Sequence, residues 1–132
     1  MKKILFPILL ILLVLTACGT QADSSSAQTD VIPAEYAGQT NPLGADTAVE
    51  GAVIFKSNCE MCHGAQGHGD GPAGGSLDPK PKNLAVLQES VGDDYLFWRI
   101  NTGKPGTSMV AWKGILTDEQ IWQVVSFIRT LQ

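Results

Sequence analysis

Cys59-Glu60-Met61-Cys62-His63 is the stretch on which the reading of this chain turns. Within one helical turn, Cys59 and Cys62 lie three residues apart and His63 lies four from Cys59, so both sulfurs and the imidazole project to one side. Such a turn suits two thioethers to the vinyl groups of a haem while one ring nitrogen meets the iron. Two other chemistries use a similar spacing. A thioredoxin-like dithiol requires a strand before the pair and a helix after it, and no β-rich pattern surrounds residues 59–63. A zinc site requires further ligands, and no second Cys-x-x-Cys pair exists.

Outward from that turn, helical signals dominate. The pattern upstream predicts a helix from Thr47, with Glu50 at the capping-box position, running through Val49, Val53 and Phe55 into the motif. Gly51 inside it costs about 1 kcal/mol relative to Ala in an ordinary helix, which asks for a packing reason. Downstream, Asp78-Pro79-Lys80-Pro81-Lys82 is incompatible with a helix and reads as an extended wrap. A middle helix is expected from Asp93 or Asp94 through Tyr95-Leu96-Phe97-Trp98-Arg99-Ile100 to a C-cap at Gly103, with Leu96 and Ile100 on the haem side. The last helix begins at Thr117, with Gln120 at its capping position, and aligns Ile121, Val124, Val125, Ile128 and Leu131 on one face.

The N-terminal part reads differently. The chain has 132 residues, 44% of them hydrophobic, but that average includes an apolar run from Ile4 to Leu15 behind Met1-Lys2-Lys3. The run falls short of the roughly 20 apolar residues that a membrane-spanning helix needs, so residues 1–17 read as a cleaved export signal. Leu15-Thr16-Ala17-Cys18 resembles the lipobox of bacterial lipoproteins. That resemblance implies cleavage before Cys18 and a diacylglycerol on its sulfur; the alternative is an ordinary secretory signal with a free Cys18. Gly19 to Ala45 is rich in Ser, Gln, Thr, Asp, Gly and Pro without a helical or strand period, so residues 18–45 are expected to form a lipidated tether. The apolar spots at Val31-Ile32 and Tyr36 are free to pack on the domain or on a partner. Nine basic side chains face 13 acidic ones, a net charge of −4, and the cleaved leader takes Lys2 and Lys3 with it. Such a balance argues against binding nucleic acid through its phosphates.

Over residues 46–132 the chain resembles class I, mono-haem cytochromes c. The likeness rests on Cys-x-x-Cys-His, the glycine-rich loop Gly64 to Gly74, a late methionine and an amphipathic last helix. It implies an all-α cytochrome c fold, three to four helices around one haem c bound covalently through Cys59 and Cys62, with His63 as an axial iron ligand. In the family a methionine from a late loop supplies the other axial ligand. Met1 leaves with the signal and Met61 sits between the cysteines, so the role passes to Met109 in Lys104-Pro105-Gly106-Thr107-Ser108-Met109, whose Pro-Gly pair favours a turn. Rival ligands are His68, Lys104 and Lys113, and a plain core methionine is the bland reading of Met109. The family also crosses its first and last helices at a glycine beside aromatic residues, a role that fits Gly51 and Phe55 against Trp122 and Phe127. Either Pro72 or Pro79 is a candidate to place the carbonyl that accepts the second ring N–H of His63, and Trp112 is a candidate pocket wall.

Iron ligated on both faces has no open position for a substrate, which leaves one-electron exchange. The resemblance therefore implies an electron-transfer protein and not an enzyme in itself. The expectation is a carrier tethered to the outer face of the cytoplasmic membrane or another envelope membrane, working as a monomer or a complex subunit. Its redox partners would be a quinol-oxidising complex on one side and a terminal oxidase, reaction centre or reductase on the other. Lys80, Lys82, Lys104 and Lys113 flank the expected haem edge and form a candidate docking ring, against the alternative of solvated lysines. Two competing functions remain: a haem-based redox or gas sensor in which Met109 does not ligate, and a fixed cytochrome subunit of a larger oxidoreductase complex.

Overall fold

The helix with the clearest apolar period is the last, and it organises the rest. A computed structural model describes residues 30–132; the export signal of residues 1–17, Cys18 and the first part of the tether lie outside the described residues. The long helices are α1 (Ala48–Asn58), α4 (Asp93–Thr102) and α5 (Asp118–Ile128), with shorter helices α2 (Glu60–His63) and α3 (Leu84–Ser90) between the first two of them. Among the described residues there is no strand beyond an isolated bridge between Lys113 and Leu116, so the fold is all-α, as expected.

Helix α5 starts as its sequence dictates. The Thr117 hydroxyl accepts from the Gln120 N–H at 3.2 Å and the Gln120 side-chain oxygen accepts from the Thr117 N–H at 2.9 Å, a reciprocal capping box. Asp118 and Glu119 in its first turn lie at the positive end of the helix dipole. Ile121, Val124, Val125, Ile128 and Leu131 are all buried.

Against this face α1 crosses at Gly51. A Cβ at that position would overlap the Gln123 carbonyl oxygen and sit 3.0 Å from Phe127 Cβ, which supplies the packing reason for a glycine in mid-helix. One turn on, Phe55 packs its ring against Phe127 at 5.0 Å between centroids. Trp122, expected in the same crossing, instead stacks on Phe97 of α4 at 4.2 Å. One expectation for α1 needs correction. Thr47 makes no side-chain cap; the chain enters α1 through a 3-10 turn, Ala45–Thr47, and the Thr47 hydroxyl donates to the Gly44 carbonyl at 2.8 Å. Val49 and Val53 are 72% and 65% exposed, because they lie roughly 200° around the helix from Gly51 and Phe55, which set the buried face.

Helix α4 runs between the expected limits and ends at Gly103, whose φ of 67° stops it. Tyr95 to Asn101 are buried without a break, Leu96 and Ile100 included. The short helix α3 was not anticipated. Asn83 caps it by accepting from the Val86 N–H at 3.2 Å, but two prolines just upstream and an exposed Val86 blur its period. Arg129, just past α5, joins these pieces: it pairs with Asp93 at 2.7 Å and donates to the Val91 carbonyl at 3.0 Å and to that of Gln88.

The compact unit begins at Val31, inside the segment expected to be tether up to Ala45. Ile32, Tyr36 and Leu43 pack against the core. The Tyr36 hydroxyl donates to Asn101 at 3.0 Å, the Gly38 N–H to Asp94 at 2.8 Å, and the Asn41 amide to the Trp122 carbonyl at 3.0 Å. A polar segment held by such long-range hydrogen bonds carries no period in its own sequence. No helix among the described residues is long and apolar enough to cross a membrane.

Candidate functional site

Cys59 stands at the junction of α1 and α2. Its N–H donates to the Phe55 carbonyl at 2.8 Å, continuing α1, and its carbonyl accepts from Cys62 at 3.1 Å and from His63 at 2.9 Å. The pentapeptide is therefore a single helical turn, as its spacing demands. Both thiols are free and half-buried. Burial, with a contribution from Cys62, pushes the Cys59 thiol up to about 12. A redox dithiol sits where a strand runs into a helix; here helix α1 leads into the pair, and the dithiol reading falls. Among the described residues no group of three or more His, Cys, Asp or Glu side chains is arranged to hold a metal ion directly.

His63 closes α2 with its ring tilted against Phe55, centroids 6.5 Å apart. Burial draws its pKa below the ordinary histidine value, and the Lys82 backbone facing the ring opposes part of that shift. The imidazole is thus kept neutral, the form that offers a lone pair to a metal. Nδ1 is buried with no hydrogen-bond partner, so neither Pro72 nor Pro79, the candidates for the carbonyl that accepts a ring N–H, hydrogen-bonds to it.

The glycine-rich loop then folds back around the turn. The Gly69 N–H donates to the His63 carbonyl at 2.8 Å, the Ala73 N–H to the Met61 carbonyl at 2.9 Å, and the Leu84 N–H to the Gly67 carbonyl at 2.6 Å. Within the loop, exposed His68 lies with Nε2 3.2 Å from the Gln132 carbonyl oxygen, so its ring is taken up by the C-terminal residue. Met61 is 62% exposed, which suits its exclusion as an inward-facing ligand.

Met109, Trp112 and Cys59 are half-buried and pack against one and the same apolar core, which includes Phe55, Leu96 and Ile100. Lys104 is half-buried and Lys113 exposed. Two free thiols and an imidazole on one turn suit a covalently attached haem, and the Met109 thioether packs on the same core. The residues fit that group.

A family model described as cytochrome c oxidase, cbb3-type, subunit III matches residues 46–128. Among solved structures, a chain of the reducing HAO-like protein complex of Kuenenia stuttgartiensis is similar, with 27% identity and a TM-score of 0.62 over 69% of this chain and 47% of that one. This chain thus spans about half the length of that relative. No curated protein matches it.

Proposed function

The chain belongs to this family of c-type cytochrome domains, and on that premise we propose that it is a lipid-anchored carrier whose haem is held axially by His63 and Met109. Its cofactor is covalent haem c, and it transfers electrons through it. Haem c attached at Cys59 and Cys62 supplies a change of one electron between ferrous and ferric states. The protein's part is ligation, orientation and exclusion of water. His63 presents a neutral imidazole, and Met109 presents a thioether, a ligand that raises the potential. With both axial positions taken, no substrate has a place to bind.

The observation that carries this reading is the packing of Cys59 and Met109 on one core, beside the His63 ring against Phe55. Exposed Lys80, Lys82 and Lys113 suit docking of an acidic redox partner. Location at an envelope membrane rests on the leader and on Cys18 as the lipid attachment point. A second reading, a fixed subunit of an oxidoreductase complex, is favoured by the comparisons, since the family takes its description from an oxidase subunit and the solved relative is part of a protein complex.

Purification of the native protein from membranes in mild detergent, followed by intact mass, tests both. A carrier is expected to migrate alone with the mass of one haem and a lipid on a chain that begins at Cys18. Co-migration with larger subunits supports the second reading, and a chain without lipid overturns the anchor.

A further inference from the structure

The loop that carries Met109 closes on itself through one side chain. The Thr107 hydroxyl donates to the Lys104 carbonyl at 2.8 Å, and its oxygen accepts from the Met109 N–H at 3.1 Å. Around it, the Thr107 N–H donates to the Lys104 carbonyl at 3.2 Å and the Lys104 N–H to the Met109 carbonyl at 2.9 Å. This closed loop is seated on the end of α4. The Trp112 N–H donates to the Ile100 carbonyl at 3.1 Å and the Lys113 N–H to the Asn101 carbonyl at 3.0 Å. Gly103 allows the seat: a Cβ there would lie 2.6 Å from the Met109 carbonyl oxygen and 2.7 Å from the Ala111 nitrogen. Arg99 Nη1 and the Thr102 hydroxyl approach the Gly103 carbonyl at 3.3 and 3.4 Å.

We infer that Thr107 is the positioning residue for the sixth iron ligand: its hydroxyl bridges Lys104 and Met109, and so sets how readily an outside ligand displaces the Met109 thioether. The inference rests on the proposed ligation by Met109. A hydroxyl has one proton, and here it goes to the Lys104 carbonyl, so Thr107 acts on Met109 through the backbone and not on its sulfur. Without the bridge, the Met109 N–H and the Lys104 carbonyl both lose a partner, and the loop loses a side-chain bond between its two ends.

Imidazole titration of the ferric, haem-loaded protein, followed by its absorption spectrum, tests this. Thr107→Val removes the hydroxyl at nearly constant shape and is expected to raise the apparent affinity for imidazole roughly fivefold to tenfold, the size of one lost hydrogen bond. Thr107→Ser keeps the hydroxyl and should return the affinity to within about twofold of the parent. Thr107→Ala provides the same comparison if valine at 107 impairs folding. Met109→Ala should bind imidazole more tightly still, and adding Thr107→Val to it should change nothing further. Parental affinity in both Thr107→Val and Thr107→Ala overturns the inference, as does an effect of Thr107→Val that persists without Met109. If Met109→Ala itself binds imidazole like the parent, the ligation by Met109 fails, and the fault lies in that premise.

Discussion

His63 and its neighbour Met61 show how much a single residue's role depends on its surroundings. Burial holds the His63 imidazole neutral, while Met61, two residues earlier, stands in solvent. Met61→Ala is therefore expected to leave the visible spectrum of the holoprotein unchanged and its unfolding midpoint within about 0.5 kcal/mol of the parent; a changed spectrum would place Met61 at the iron. Cys59, Cys62 and His63 were legible because one helical turn fixes three side chains by spacing alone. Met109 was singled out only through the family likeness, and its ligation of the iron is our proposal. The Thr107 bridge was not legible, since a short hydroxyl acquires its partners from the path of the folded chain.

At the scale of elements, the α1–α5 crossing decides the architecture, and Gly51 decides the crossing. Alanine at that position gains about 1 kcal/mol in intrinsic helix preference, yet its methyl would overlap the Gln123 carbonyl. Forcing the helices apart costs about 1–3 kcal/mol, so Gly51→Ala is expected to lower the denaturation midpoint of the haem-loaded chain. A midpoint equal to or above the parent's would show that the crossing tolerates a side chain. Helix α5 was fully legible because its cap, its period and its burial agree. Helix α1 was legible in place and in orientation, because Gly51 and Phe55 mark the face that packs on α5, while Val49 and Val53 on the other side stay exposed. Helix α3 was missed because a short helix after two prolines has too few residues to show a period.

The whole molecule is small, and its helices enclose groups that need a partner. The thiols of Cys59 and Cys62 are unpaired and half-buried, and His63 Nδ1 is buried without a hydrogen bond of normal geometry. The compact unit from Val31 to Gln132 is small, so the share of surface that it buries is limited, and a covalently bound haem would add apolar surface to its core. A Cys59→Ala/Cys62→Ala chain is therefore expected to accumulate little folded protein, as judged by circular dichroism and thermal melting. A stable apoprotein that melts cooperatively would refute this. The compact unit also extends further toward the N-terminus than composition implied, because Tyr36 and Asn41 hydrogen-bond to α4 and α5. Composition describes what a segment offers to solvent, whereas its partners here lie 65 and 81 positions away in the chain.

In the proposed reading His63 and Met109 both ligate the iron, which leaves electron exchange as the chemistry. Carbon monoxide titration of the reduced holoprotein addresses it directly, with the parent compared to Met109→Ala. The expected result is a parent spectrum that stays unchanged at concentrations that fully convert the variant. Immediate conversion of the parent, at the variant's affinity, would contradict the account and favour a sensor with an open iron site.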